Sequence, residues 1–267
     1  MISPGAHRRL PLTFVDTLLL SIFAFLAGFV DAIVGGGGLI QLPALLLFLP
    51  TAQQATLAPI FGTNKFSSIC GTSLAMAQYA SRINIRWEII LPAGTAACLF
   101  SFLGARIVSL IPPETLKPVV FVLLILALAY TIKRKDFGAL HAPRLTPRAE
   151  RFLALLTGAA IGFYDGFFGP GTGSFLILIF VGLFGYDFLN ASANAKILNF
   201  CTNVAAVSYF AWSSNILYEH ALPMGLCNML GAFIGSRLAI AKGNQFVRVF
   251  FFLVVSALIL KLGYDLW

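Results

Sequence analysis

The chain has 267 residues, 59% of them hydrophobic and only 10% charged, with a net charge of +8. Soluble proteins carry about 25% charged residues, so this composition excludes a soluble enzyme, a disordered chain, a disulfide scaffold and a nucleic-acid-binding domain. Residues 32–64, 166–186 and 197–218 contain no Asp, Glu, Lys or Arg, and a membrane-spanning helix needs roughly 20 apolar residues.

In chain order, the sequence predicts apolar helices over 14–34, 39–50, 54–80, 88–110 and 116–132. A basic stretch follows at 133–151, with Lys133, Arg134, Lys135, Arg144, Arg148 and Arg151 against Asp136 and Glu150, and with Pro143 and Pro147 as breaks. Further helices are expected over 151–168, 173–186, 188–212, 219–240 and 248–264. Barrel strands would alternate apolar and polar residues, which these segments do not. Clustered Lys and Arg mark a cytoplasmic loop, so 133–151 reads as a linker between 1–132 and 152–267. No cleavable signal peptide is expected, because the apolar run after Arg8 and Arg9 continues into a membrane segment. Cys70, Cys98, Cys201 and Cys227 lack metal or redox spacing and read as small core residues.

The two halves repeat. With Lys65 set on Lys196, fourteen of the 42 positions from 65 to 106 are identical without a gap, including Asn84/Asn215, Glu88/Glu219, Pro92/Pro223 and Arg106/Arg237. Upstream, Gly28-Phe29-Val30-Asp31 falls on Gly162-Phe163-Tyr164-Asp165, and Gly35 and Gly37 fall on Gly169 and Gly171. Such repeats are common in secondary transporters. Charge does not fix their relation. Five crossings per half would make the repeats inverted and leave Arg8 and Arg9 outside. Re-entrant 39–50 and 173–186 would make them parallel and leave Arg237, Lys242 and Arg248 outside.

Two features carry chemistry. Gly35-Gly36-Gly37-Gly38 and Gly169-Pro170-Gly171-Thr172-Gly173 cannot continue a stable helix. Non-helical backbone at membrane depth survives only inside protein or along a polar cavity. The short helices that follow present free N–H groups and a positive dipole end to an anion. The alternative is that these glycines only allow close helix packing. The second feature is four charges in apolar surroundings, Asp31, Lys65, Asp165 and Lys196. A charge at the bilayer centre costs about 2.5–3.5 kcal/mol or more and normally faces a cavity. Three readings stay open: the lysines attract an anion while the aspartates pair with them or carry protons; the four form structural ion pairs; or the lysines snorkel to the interface. Asn64, Ser67 and Ser68, and Asn194, Asn199, Thr202 and Asn203, add polar groups on the same helices. Glu88, Glu219, Arg106 and Arg237 read as helix-end anchors. Trp87, Trp212, Tyr218 and Trp267 read as interface aromatics. His7, His141 and His220 have no ligand partners at useful spacing.

The duplicated Gly-Phe-x-Asp-x-x-x-Gly-x-Gly pattern and the Asn-Lys or Asn-Ala-Lys helix that follows resemble the TauE/SafE family of sulfite exporters and sulfonate permeases over about residues 14–264. The matching positions are Asp31, Gly35, Gly37, Asn64, Lys65, Asp165, Gly169, Gly171, Asn194 and Lys196. The resemblance implies a multi-pass transporter of the bacterial inner membrane that moves sulfite, sulfoacetate or related anions.

The expected fold is therefore an all-α integral membrane protein with two homologous halves and broken half-helices in each. The expected function is secondary transport of small anions, in the export direction, at a site between the repeats near the midplane. Sulfur as the substrate element rests on the resemblance alone. No ATP-binding motif, catalytic constellation or cofactor is indicated, and no metal or nucleic acid. Partners are the anion and the lipid bilayer, with a homodimer allowed. The alternative is a non-transporting scaffold or assembly subunit.

Overall fold

The computed structural model describes residues 14–49, 58–108, 142 and 145–266. The segment 116–132, most of the linker, Arg8, Arg9, His7, His141 and Trp267 lie outside the described residues. Among the described residues there are eight helices and no strand. They are α1 (Phe14–Val34), α2 (Gly38–Phe48), α3 (Ala58–Ala80), α4 (Trp87–Val108), α5 (Pro147–Phe167), α6 (Thr172–Ile179), α7 (Phe188–Trp212) and α8 (Tyr218–Leu266). A π turn, Phe180–Phe184, extends α6. Gly243, at φ 70° and ψ −165°, divides α8 into two arms.

Among the described residues, three helical stretches are long and apolar enough to cross a bilayer: 15–34, 87–108 and 218–254. The helices α3 and α7 are as long, with 23 and 25 residues, but carry many polar side chains that are turned inward. The outward faces of α1, α4 and the first arm of α8 expose Leu18, Leu26, Leu99, Leu222, Leu226 and Leu230. These would be unfavourable in water and suit lipid.

The linker ends earlier than the sequence suggests. Residues 147–151 form the first turn of α5, because Thr146 accepts a hydrogen bond from the Ala149 N–H at 3.4 Å and Pro147 occupies the first turn. Proline there loses no intrahelical bond, so Pro147 starts a helix instead of breaking one.

Packing fixes the direction of each helix. Thr17 bonds His220 at 3.1 Å, and further along Gly235 presses on Phe29, so α1 and the first arm of α8 run parallel. The helix α3 runs with them, Phe66 meeting Tyr218 and Gly71 meeting Asn228. In α5, Gly158, Gly162 and Gly166 press in turn on Ala93, Ala97 and Ser101 of α4, so these two also run parallel. The helices α3 and α7 run antiparallel. Thr63 near the start of α3 accepts from the Leu217 N–H just beyond the end of α7, at 3.0 Å, whereas Thr72 meets Asn203 midway along both. The two helices that carry Lys65 and Lys196 therefore point in opposite directions.

The short helices double back. Phe48 at the end of α2 meets Phe23 of α1, with ring centroids 6.0 Å apart. At 11 residues, α2 rises about 16 Å, half of the roughly 30 Å apolar core. It is a hairpin limb of α1.

Glycines set the closeness of this packing, and the contacts of the two halves correspond. A side chain at Gly28 would meet the Asn228 carbonyl, and one at Gly162 the Ala97 carbonyl. Gly94 lies on the Cys201 sulfur and Gly225 on the Cys70 sulfur. Each contact joins one half to the other.

Among the described residues, Arg82, Arg86, Arg148, Arg151 and Lys242 gather at one end with Glu88, Glu150 and Asp187, while Asp16, Arg106, Glu219 and His220 lie at the other. At the basic end, Arg86 and Tyr186 both hold the buried Glu150 carboxylate, Tyr186 at 2.6 Å. Burial, then the bond to Glu150, pushes the Tyr186 hydroxyl above the usual tyrosine range, so it remains a donor. Glu88, an expected end anchor, pairs with Arg151 at 3.2 Å on the surface. Arg237 does not end its helix. It lies over the Phe233 ring, and the first arm continues to Gly243.

Candidate functional site

The end of α1 is held by three other helices. Gly35 takes φ 77°, which stops α1 at Val34. The carbonyls of a helix's last turn have no intrahelical donor. Here Ala32 accepts from the Tyr79 hydroxyl at 2.9 Å, Ile33 from Ser192 at 3.0 Å, and Val34 from Ser174 at 2.9 Å. These donors come from α3, α7 and α6. The second break is tied within its own segment. Gly169 takes φ 90°, the Tyr164 hydroxyl donates to the Pro170 carbonyl at 2.7 Å, and Thr172 donates to the Gly169 carbonyl at 2.6 Å. The two breaks also touch, with the Ser174 N–H bonded to the Gly35 carbonyl at 3.1 Å.

A cavity of about 30 Å³ lies where the breaks meet α3 and α7. Asp31, Gly35, Gly38, Asn64, Lys65, Asp165, Gly169, Gly171, Thr172, Gly173 and Asn199 line it. Ser68 and Asn203 line it too, as does Thr72, which the sequence reading did not single out. The volume suits about two waters.

Four charges surround the cavity, and they pair across the halves. Lys65 Nζ lies 2.7 Å from Asp165 Oδ2, and Lys196 Nζ lies 2.8 Å from Asp31 Oδ2. Both lysines are buried, at 4% and 0% exposure, which overturns the snorkelling alternative. The pairs differ in geometry. Lys196 donates a hydrogen bond to Asp31. The Lys65–Asp165 contact is an ion pair without hydrogen-bond angles, and Asp165 Oδ2 has no hydrogen-bond donor.

Five expected site residues do not line the cavity. Lys196 is sealed behind Asp31. Gly37 packs against Ala27 and Asp31 of α1, and the Gly36 carbonyl accepts from the Leu39 N–H at 3.1 Å. Ser67 donates to Gln41 at 3.3 Å, and Asn194 turns its amide to the Asn190 carbonyl on its own helix at 2.7 Å.

Gln41 is a residue that sequence reasoning missed. It is fully buried in α2, donates to the Asn64 carbonyl at 3.4 Å, and accepts from Ser67 and from Asn228 at 2.9 Å. Its signal was available, the lone amide of the apolar segment 39–50. By joining α2, α3 and α8 it holds the wall that carries Asn64 and Lys65.

Buried polar and charged groups on broken helices, inside a lipid-facing helical shell, define a multi-pass membrane transporter. The chain belongs to the sulfite exporter TauE/SafE family, whose sequence profile matches residues 20–262. It is 39% identical over 249 residues to the probable membrane transporter protein ORF9 of a Sinorhizobium species, covering 92% of each chain. It is 33% identical over 258 residues to the probable membrane transporter protein YfcA of Escherichia coli, covering 94% of this chain and 92% of that protein. A probable membrane transporter protein of Haemophilus influenzae is 33% identical over 257 residues, covering 94% and 96%. No solved structure matches the chain.

Proposed function

We propose that the protein is a secondary transporter that exports small sulfur oxyanions, sulfite or organosulfonates, through the cavity between the two breaks. The observation that carries this reading is Lys65. It is a buried cation on the cavity wall, and its ammonium lies against the second glycine break, within 3.0 Å of where a Gly169 side chain would start. An ammonium beside a polar break, next to the first residues of α6, suits an anion. The family name supports sulfur as the element carried.

The site's depth supports transport over scaffolding. Gly28 of α1 and Gly71 of α3 both press on Asn228, level with the Thr72–Asn203 contact. About 21 Å of α1 precedes Gly28 and about 9 Å follows it, so the first break lies about 9 Å beyond that level, still within the roughly 30 Å apolar core. A scaffold gains nothing from four charges placed there. The arginine-rich end that includes Arg82, Arg86, Arg148 and Arg151 is the cytoplasmic end on this reading. With the cell interior negative, exporting a monovalent anion gains about 2.3 kcal/mol per 100 mV.

The test is flux of sulfite, sulfate, taurine and sulfoacetate in proteoliposomes at set pH and potential. Saturable flux of one or more of these, abolished in Lys65→Met, is the expected result. Flux no faster than in empty vesicles for all four would refute the proposal.

A further inference from the structure

Lys65 and Lys196 are sequence equivalents, but their surroundings are not. Lys65 lines the cavity, whereas Lys196 is sealed and reaches it only through Asp31, whose side chain keeps 21% of its surface exposed. The Lys196–Asp31 contact is a hydrogen-bonded pair, and Asp31 sits on the helix end that Tyr79, Ser192 and Ser174 pin from three sides. The Lys65–Asp165 contact lacks hydrogen-bond geometry. Its break is tied through Tyr164 and Thr172 of the same segment, and it meets the first break only further on, through Ser174 on Val34 and Gly35. An anion that docks on Lys65 must displace Asp165 from it, and Asp165 Oδ2 receives no hydrogen bond from Lys65 or any other described donor.

We propose that the two pairs have different jobs: Lys65 leaves Asp165 to bind the substrate anion at the second glycine break, while Lys196–Asp31 stays closed as a latch that positions the first break. This rests on the anion-transport reading above and assigns binding to one of its two half-sites. Asp165 is then the competitor of the substrate. Any anion that takes Lys65 must outcompete a carboxylate already 2.7 Å away. Asp31 does not compete, because its lysine never faces the substrate.

The variants separate these roles. Asp165→Asn removes the competitor and leaves Lys65 in place. Asp31→Asn with Lys196→Met neutralises the latch without stranding a charge. Lys65→Met with Asp165→Asn neutralises the binding pair in the same way. Binding of sodium sulfite to the purified full-length protein in detergent is measured by titration calorimetry and by thermal shift, with sodium chloride as the ionic control. Asp165→Asn should tighten sulfite binding by about tenfold or more, the scale of coupling between close charges. The neutralised latch should weaken sulfite binding far less than the neutralised binding pair does, and should lower the unfolding midpoint instead, because it frees the end of α1. The neutralised binding pair should lose sulfite binding while its unfolding midpoint stays near wild type. Equal changes in the two neutralised pairs, or weaker binding in Asp165→Asn, would overturn the assignment with anion binding itself intact. If neither wild type nor Asp165→Asn binds sulfite, taurine or sulfoacetate, the function proposed above falls and this assignment falls with it.

Discussion

Replacing Gly35 by alanine tests whether the two breaks form one packed unit. Gly35 has φ 77°, and an added Cβ would sit 2.3 Å from the Gly173 carbonyl carbon and 2.4 Å from its Cα. The left-handed backbone costs an alanine about 1–2 kcal/mol. Forcing backbone from backbone costs about 1–3 kcal/mol more. Gly243 is the internal control. It has φ 70° but nothing within 4 Å of a new Cβ, so Gly243→Ala carries backbone strain of about 1–3 kcal/mol and no packing cost. At about 2–4 °C per kcal/mol, Gly35→Ala should lower the midpoint by roughly 10 °C and Gly243→Ala by roughly 5 °C. The measurement is thermal unfolding of detergent-purified protein followed by tryptophan fluorescence, with flux assays alongside. Gly243→Ala should keep its flux and Gly35→Ala should lose it. If α1 were simply free to extend past Val34, alanine's helix preference would raise stability by about 1 kcal/mol. A Gly35→Ala midpoint at or above that of Gly243→Ala would refute the packed-break argument.

Three further outcomes are expected. Gly94→Ala and Gly225→Ala should each destabilise by about 1–3 kcal/mol, because the new methyl meets the sulfur of Cys201 or Cys70; pairing each with Cys201→Ala or Cys70→Ala should recover most of the loss, read by thermal unfolding of the four variants. Arg86→Met leaves the buried Glu150 carboxylate without its cation and should cost about 3 kcal/mol, while Arg86→Met with Glu150→Gln should recover part of that, since Tyr186 still has an acceptor; unfolding midpoints check both. With the four native cysteines replaced, Ser81→Cys and Ala142→Cys should resist impermeant thiol reagents added to intact cells, and Ser213→Cys, at the opposite end, should label. Labelling of all three from outside would contradict the antiparallel relation of α3 and α7.

Much of the architecture is legible in the sequence because membrane depth punishes exceptions. Four consecutive glycines and four charges in apolar runs have to mean something, and both mark the cavity. The pairing was not legible. Asp31 and Lys65 lie in one half, and only the antiparallel crossing of α3 and α7 carries each lysine to the other half's aspartate. Thr72 was findable, since it is the repeat-mate of Asn203, which had been singled out. Gly36 and Gly37 do not line the cavity, because the turn into α2 folds Gly37 onto α1. Its neighbour Gly38 faces the cavity instead, a one-residue difference that composition cannot resolve. The start of α5 was misplaced because Pro147 reads equally as a stop or as a first turn.

The cross-half pairing also sets the order of events during biogenesis. The ribosome delivers Asp31 and Lys65 first, and neither meets its partner until Asp165 and Lys196 follow. Until then the bilayer or the insertion machinery must accommodate two lone charges, at about 2.5–3.5 kcal/mol each. A nascent chain stalled after α4 is therefore a poor membrane resident and a ready substrate for quality-control proteases. The second half, when it arrives, completes the first.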